Sequence, residues 1–261
     1  MSETIPPQDT RPTRADADDV ADAVIGVDTR IFTTLWDTLI HTPRVLQAAF
    51  DGDRDRYVPI LRLFLILFGL QFAVVAFIGL PQAMTPQQFT TPEDQVVLDA
   101  WLNGLDIDTI NLTLERAANL SNTALVFFAS LPYLLLMKLY RPKRSFFGHL
   151  LAYLLATNAS YIVMLPLMLP GAFGEFWVWY VISVSLGLLV YFVALARLLY
   201  VHYTSKVWLV SVQMLGLILL LPITFLLVGI SQFFVAELVL QVFHDRSFIE
   251  LFIQMAEAQT P

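Results

Sequence analysis

Five of the six residues from Asp51 to Arg56, "DGDRDR", are charged. Asp51, Asp53 and Asp55 fall where a calcium loop places its first three ligands, but such a loop then needs Gly at its sixth position and Glu at its twelfth. Arg56 and Arg62 stand there instead. Both the turn residue and the bidentate ligand are replaced by cations, so no metal site is expected. The alternating signs point to local ion pairing, with Arg54, Arg56 and Arg62 turned toward lipid phosphate. Juxtamembrane cations gain on the order of 1 kcal/mol each from an anionic leaflet. The same arginines also orient a membrane protein without binding anything. A second basic group, Arg141, Lys143 and Arg144, lies in "KLYRPKRSFFGH" and is a candidate for the same head-group contact.

Polar side chains inside apolar stretches form the other set. Asn158, in "LLATNASYIVMLP", and Gln213 are the foremost, joined by Gln71, Asn122 and Thr224. In hydrocarbon such groups turn inward and bond between helices; around Asn158 and Gln213 they could instead line a groove. No Asp, Glu, Lys, Arg or His falls near the middle of an apolar span, which argues against an ion-coupled pathway. His41, His149, His202 and His244 share no ligand spacing, and cysteine is absent. Neither a metal site nor a cofactor is expected, and no nucleophile elbow, phosphate loop, zinc-helix or dinucleotide pattern occurs.

Apolar residues make up 57% of the 261 and charged ones 14%, against about a quarter charged in soluble domains. Mean hydropathy is +0.67. A soluble chain of this composition could not cover itself with polar groups, so an all-α integral membrane protein is expected. The net charge of -7 is not that of a nucleic-acid binder, which is basic and clustered.

Residues 1–28 are acidic and poor in large apolar groups; they read as a disordered tail, without the pattern of a signal peptide. Over 29–56, Ile31, Phe32, Leu35, Trp36, Leu39 and Ile40 recur at helical spacing. That amphipathic helix either lies in the head-group layer or packs on the protein's own cytoplasmic side. Thr42 as N-cap and Pro43 at the first helical position open a second short helix, which Gly52 ends. The membrane domain is expected over 57–235, with spans near Leu63–Leu80, Leu120–Met137, Leu150–Leu169, Phe176–Leu195 and Val207–Phe233, each near the roughly 20 residues a crossing takes. Between the first two, loop 81–119 reads as an acidic pair of short external helices. Its Asn111 and Asn119 fit the glycosylation triplet, a pattern common by chance. Residues 236–261 read as an external amphipathic helix with Phe248, Ile249, Phe252 and Ile253 along one stripe.

The run Leu35 to Leu65 resembles an uncharacterised bacterial multi-span membrane protein family. Its pattern is a leucine-rich helix and Pro, then Gly-x-Arg-x-Arg-Tyr, then Pro and a first span. Pro43, Gly52, Arg54, Arg56, Tyr57 and Pro59 stand at those places. "FFGHLLAYLL" is similar to that family's third span, at His149 and Leu150. Many members begin with a four-cysteine zinc ribbon, which a chain without cysteine does not carry. The five-span plan and "SYIVMLP" also resemble the Yip group of membrane-trafficking and membrane-shaping proteins. Neither resemblance implies catalytic residues.

These readings combine into a non-enzymatic interaction protein of a bacterial cytoplasmic membrane. It would be a scaffold, assembly factor or accessory subunit whose partners are membrane lipids and other membrane proteins, with no nucleic acid. A lipid- or apolar-solute-binding transporter is the alternative. Of fifteen Lys and Arg, thirteen fall on one side of the expected spans and two, Arg116 and Arg246, on the other. The positive-inside rule therefore predicts a cytoplasmic N-terminus and an external C-terminus. Alkaline phosphatase fused after Pro261 should be active and a fluorescent protein there dark; the reverse pattern would refute this orientation.

Overall fold

The computed structural model describes residues 30–53, 55–78, 84–174 and 176–258, excepting the side chains of 119–120, 122–123 and 126–127. The acidic tail, Arg54 and the side chains of Asn119 and Asn122 lie outside that description. All regular structure among the described residues is helical, with no strand: α1 (Arg30–Ile40), α2 (Thr42–Asp51), α3 (Ile60–Ile78), α4 (Gln95–Leu102), α5 (Ile107–Tyr140), α6 (Phe146–Met168), α7 (Phe176–His202), α8 (Val207–His244) and α9 (Phe248–Ala258), with short 3-10 turns at Pro86–Gln88, Pro92–Asp94 and Leu169–Phe173. Four segments are long and apolar enough to cross a membrane: Ile60–Ile78, Phe146–Phe173, Phe176–His202 and Val207–His244; Phe128–Tyr140 is a shorter apolar stretch within α5. This is the architecture of a multi-pass membrane protein.

Two expected breaks are missing. The second helix of loop 81–119 and the span expected at Leu120–Met137 form one helix, α5, of 34 residues. No Gly or Pro interrupts it before Pro132, so nothing local ends the helix at the polar–apolar boundary. Likewise α8 runs 38 residues, well past Phe233. It stops at Asp245, whose φ of 52° starts the turn into α9. The helix expected over 236–261 is therefore the end of α8 followed by a separate α9.

The chain divides into two compact units, one of residues up to Val74 with Leu150–Ser205, the other of Val75–His149 with Lys206 onward. In the first, α3 and α6 run parallel: Asn158 meets Ile60, the Tyr161 ring stacks near Phe64, and Leu165 joins Leu63 and Leu67 in one core cluster. α7 returns antiparallel to α6. Gly187 of α7 faces Ser160 and Met164, where an added Cβ would lie 3.0 Å from the serine oxygen and 3.1 Å from the methionine Cβ. Tyr153 meets Tyr191 edge-on.

In the second unit α5 and α8 form an antiparallel pair. Tyr140 donates its hydroxyl to the Gln213 carbonyl at 3.0 Å, and far along the pair Leu114 and Ala118 share a core with Ala236 and Leu240. That core is closed by Leu98, Trp101 and Leu102 of α4 and Phe248 and Leu251 of α9. Glu237, buried in α8, ties α9 down: it accepts the Ser247 hydroxyl and the Gln241 amide, both at 2.6 Å, and the Phe248 N–H at 2.8 Å. A carboxylate at a helix N-terminus also meets the positive end of the helix dipole. Trp101 adds an indole N–H to the Ser247 carbonyl, 3.0 Å.

At the other end of the pair, Gly216 leaves the space that the Tyr140 hydroxyl occupies; a methyl there would collide with that oxygen. Gly216→Ala should therefore cost about 1–3 kcal/mol, the usual penalty of overpacking, read as a lower melting temperature in detergent. In a Tyr140→Phe background the same substitution should cost markedly less, because the colliding atom is gone. Equal costs in both backgrounds would show that the close approach is not what Gly216 provides.

Candidate functional site

α1 carries its polarity inverted. Thr34, Asp37 and Thr38 are buried, whereas Phe32 and Trp36 are 68% and 64% exposed, with Ile40 also exposed. Ile31 and Leu35 pack inward against the cluster around Val58. Of the six-residue apolar face expected from the sequence, half turns outward. In water this orientation would forgo roughly 1.5–3 kcal/mol of burial for each large apolar side chain left exposed.

Specific bonds fix that rotation. The Thr34 hydroxyl donates to the Arg30 carbonyl at 2.6 Å and accepts the Val58 N–H at 2.9 Å. Asp37 accepts the Tyr57 hydroxyl at 2.6 Å, lies 3.2 Å from His41 Nδ1 and 3.5 Å from the Arg56 guanidinium. Arg56 also stands 5.1 Å from the centre of the Tyr57 ring, within cation–π range. Thr42 does not cap α2 as expected; its hydroxyl donates back to the Thr38 carbonyl at 2.8 Å, and His41 takes the capping position. From α7, Arg197 reaches the last carbonyls of α1, Leu39 at 3.1 Å and Ile40 at 3.4 Å. His202 Nε2 lies 3.1 Å from the Pro43 carbonyl.

Burial pushes the Asp37 carboxyl up, but the Tyr57 and His41 hydrogen bonds and the charges of His41 and Arg56 outweigh it, holding it below its ordinary 3.8. Tyr57 moves from 10.0 to about 12, through burial first and then the hydrogen bond and charge of Asp37. The constellation positions helices. A phenol held neutral against a paired carboxylate is not an activated nucleophile.

The arginines expected at lipid phosphate separate. Arg56 is drawn partly into the Asp37 cluster, while Arg62 is exposed on the first turn of α3. In the second unit Arg141 and Lys143 are exposed and Arg144 is half-buried. Lys138 donates to the Pro142 and Arg144 carbonyls at 2.6 and 2.5 Å, which folds that loop around its ammonium. "DGDRDR" follows the left-handed Gly52, φ 73°, which ends α2; no group of three or more acids, His or Cys that could hold a metal occurs among the described residues.

Asn158 is fully buried and donates Nδ2 to the Ile60 carbonyl at 3.2 Å, while its Oδ1 has no partner among the described residues. Gln213 is also buried; its backbone carbonyl serves Tyr140 and its side-chain oxygen has no described partner. The two belong to different units. Asp37, Thr34, Arg197 and Glu237 do not stand out as site residues in the sequence, and Tyr57 does so only as part of the Gly-x-Arg-x-Arg-Tyr pattern. The spacing of Thr34, Asp37, Thr38 and His41 does mark a polar helix face, but nothing in it says that this face points inward. No family model, curated protein or solved structure matches the chain.

Tyr57→Phe should cost about 1.5–3 kcal/mol, the range for a hydrogen bond to a charged group. The depressed Asp37 contributes stability above pH 3.8 that is lost as pH falls through its folded value. The raised Tyr57 contributes fully below pH 10.0, and that is lost as pH rises through about 12. The gap in melting temperature between wild type and Tyr57→Phe should hold steady from pH 5 to 9 and narrow beyond both ends. A gap that peaks at either extreme would contradict the assigned protonation states.

Proposed function

We propose that the chain is a non-enzymatic membrane interaction protein: a scaffold, assembly factor or accessory subunit of a larger complex in a bacterial cytoplasmic membrane. Five helices cross, the N-terminus is cytoplasmic and the C-terminus external. Beyond the four long apolar helices, the fifth crossing is supported by the antiparallel pairing of α5 with α8, since the apolar end of α5 lies along the first half of α8. The orientation is supported by the division of Lys and Arg along the chain.

Asn158 carries the functional reading. It is a polar side chain that a solute path would need free, and its amide is committed to the Ile60 carbonyl between two helices. A lipid- or apolar-solute-binding transporter is the second reading, favoured by the buried Asn158 and Gln213 side-chain oxygens, neither of which has a partner among the described residues.

Asn158 separates the two. Its replacement by Ala should cost roughly 0.6–2 kcal/mol, the range for interhelical hydrogen bonds in lipid, and lower the melting temperature in detergent. A cysteine in its place, in a chain with no other, should resist a water-soluble maleimide in intact membranes. Rapid labelling with unchanged stability would replace the scaffold reading with the transporter one.

A further inference from the structure

We propose that the outward stripe of α1, Phe32, Trp36 and Ile40, is a docking face for an anionic lipid leaflet. The inference rests on the membrane reading above and names the ligand of this element; it does not depend on the choice between scaffold and transporter.

Three observations carry it. First, the helix cannot turn its apolar side inward without breaking the bonds that hold it. Thr34 is tied to the Val58 N–H, Asp37 to Tyr57, and the terminal carbonyls of Leu39 and Ile40 to Arg197. A helix fixed with threonines and an aspartate inside and Phe32 and Trp36 outside is matched to an apolar surrounding. Second, that surrounding is defined by its neighbour. Arg197 stands five residues before the end of α7, a helix long and apolar enough to cross a membrane. The last turns of α7 are themselves apolar and exposed, at Val193, Tyr200 and Val201. The stripe therefore lies beside the end of a candidate span, at the level where Trp and Tyr settle between acyl chains and head groups. Third, the same unit carries exposed cations. Arg197 bonds the Ile40 carbonyl at the end of the stripe, Arg44 lies near the start of α2, and Arg62 lies on the first turn of α3. Long arginine side chains at helix ends reach up to phosphate while their stems stay in the apolar layer.

The absence of cysteine from the chain permits a direct test. Single cysteines replacing Phe32, Trp36 or Ile40, with Gln47 and Asp53 as exposed polar controls, are given a nitroxide label. The full chain is then reconstituted in vesicles of phosphatidylcholine and phosphatidylglycerol in equal parts. At the three stripe positions, collisions with oxygen should exceed those with a water-soluble nickel chelate several-fold, and at Gln47 and Asp53 the order should reverse. A chelate preference at Trp36 would place the stripe in water and overturn the proposal. Exclusion of both reagents would mean that a second copy of the chain covers it, with the same consequence. Phosphatidylglycerol retained by the purified full chain, counted by native mass spectrometry, should fall several-fold when Arg44 and Arg62 are both replaced by Gln. Unchanged retention would overturn the assignment of the cations to lipid phosphate. The maleimide reading at Asn158 is independent of all these outcomes, so failure here leaves the scaffold reading standing or falling on its own test.

Discussion

Where the medium around a helix is apolar, its polar groups have only one another as partners. That constraint explains the inverted α1. A buried carboxylate is tolerated when its charge is paired and its oxygens are hydrogen-bonded. Asp37 meets that condition through Tyr57, His41 and Arg56 at once. Removing one of these leaves the others around an under-partnered charge, a larger loss than the single bond. The clasp is also what joins the chain before α3 to α3 itself. Tyr57 and Val58 lie at the entry to that helix, and both are held by residues of α1. The angle at which the first long apolar helix begins is thus set by polar contacts outside it.

The same logic operates at Glu237 with different partners. No cation among the described residues is bonded to its carboxylate; a hydroxyl, an amide and a backbone N–H at the start of α9 share it. Backbone donors at a helix N-terminus serve an anion as well as a side-chain cation does. The consequence is positional. Asp245 and Arg246 make the turn, and Glu237, two helical turns back, fixes where α9 lands. The Phe252 ring then stacks against Phe233 and Phe248, Phe248 meets Phe233 at a tilt, and both meet Phe89 edge-on. The aromatic cluster fills the space, and the carboxylate selects the register.

Much of the fold was legible because long apolar runs have few alternatives to helix. The segments read near residues 63, 150, 176 and 207 correspond to α3, α6, α7 and α8, and Gly52 ends a helix as its conformational freedom allows. The breaks were less legible. A change from polar to apolar sequence marks a change of solvent, not an end of helix, so α5 passes through it; only Asp245, past the apolar run, stops α8. The candidate site was half legible. Arg56, Arg62 and Asn158 stand out by residue type. Asp37 and Glu237 do not, because each lies on an ordinary amphipathic pattern. Their role appears only when partners 20 and 10 residues away are brought to them.

The lengths of α5 and α8 decide what Glu237 can be. At 1.5 Å per residue, the 38 residues of α8 run about 57 Å, nearly twice the roughly 30 Å of hydrocarbon. Trp208, at the first turn, is the type of residue that marks an interface. Counting from it, about 20 residues of crossing end near Gly229 when the helix stands upright, and a few residues further when it is tilted. Glu237 lies beyond that point. Its neighbours across the pair, Leu114 and Ala118, flank Glu115 and Arg116, which places three ionisable residues at one level of the two helices. An intramembrane carboxylate would call for a proton or ion path. Glu237 lies past that length of crossing, its described partners are neutral donors, and it holds the start of α9. The interval 207–236, 30 residues without an Asp, Glu, Lys or Arg, is the part of α8 that can lie in lipid. The helical cap of α4 and α9 is assembled on the remainder.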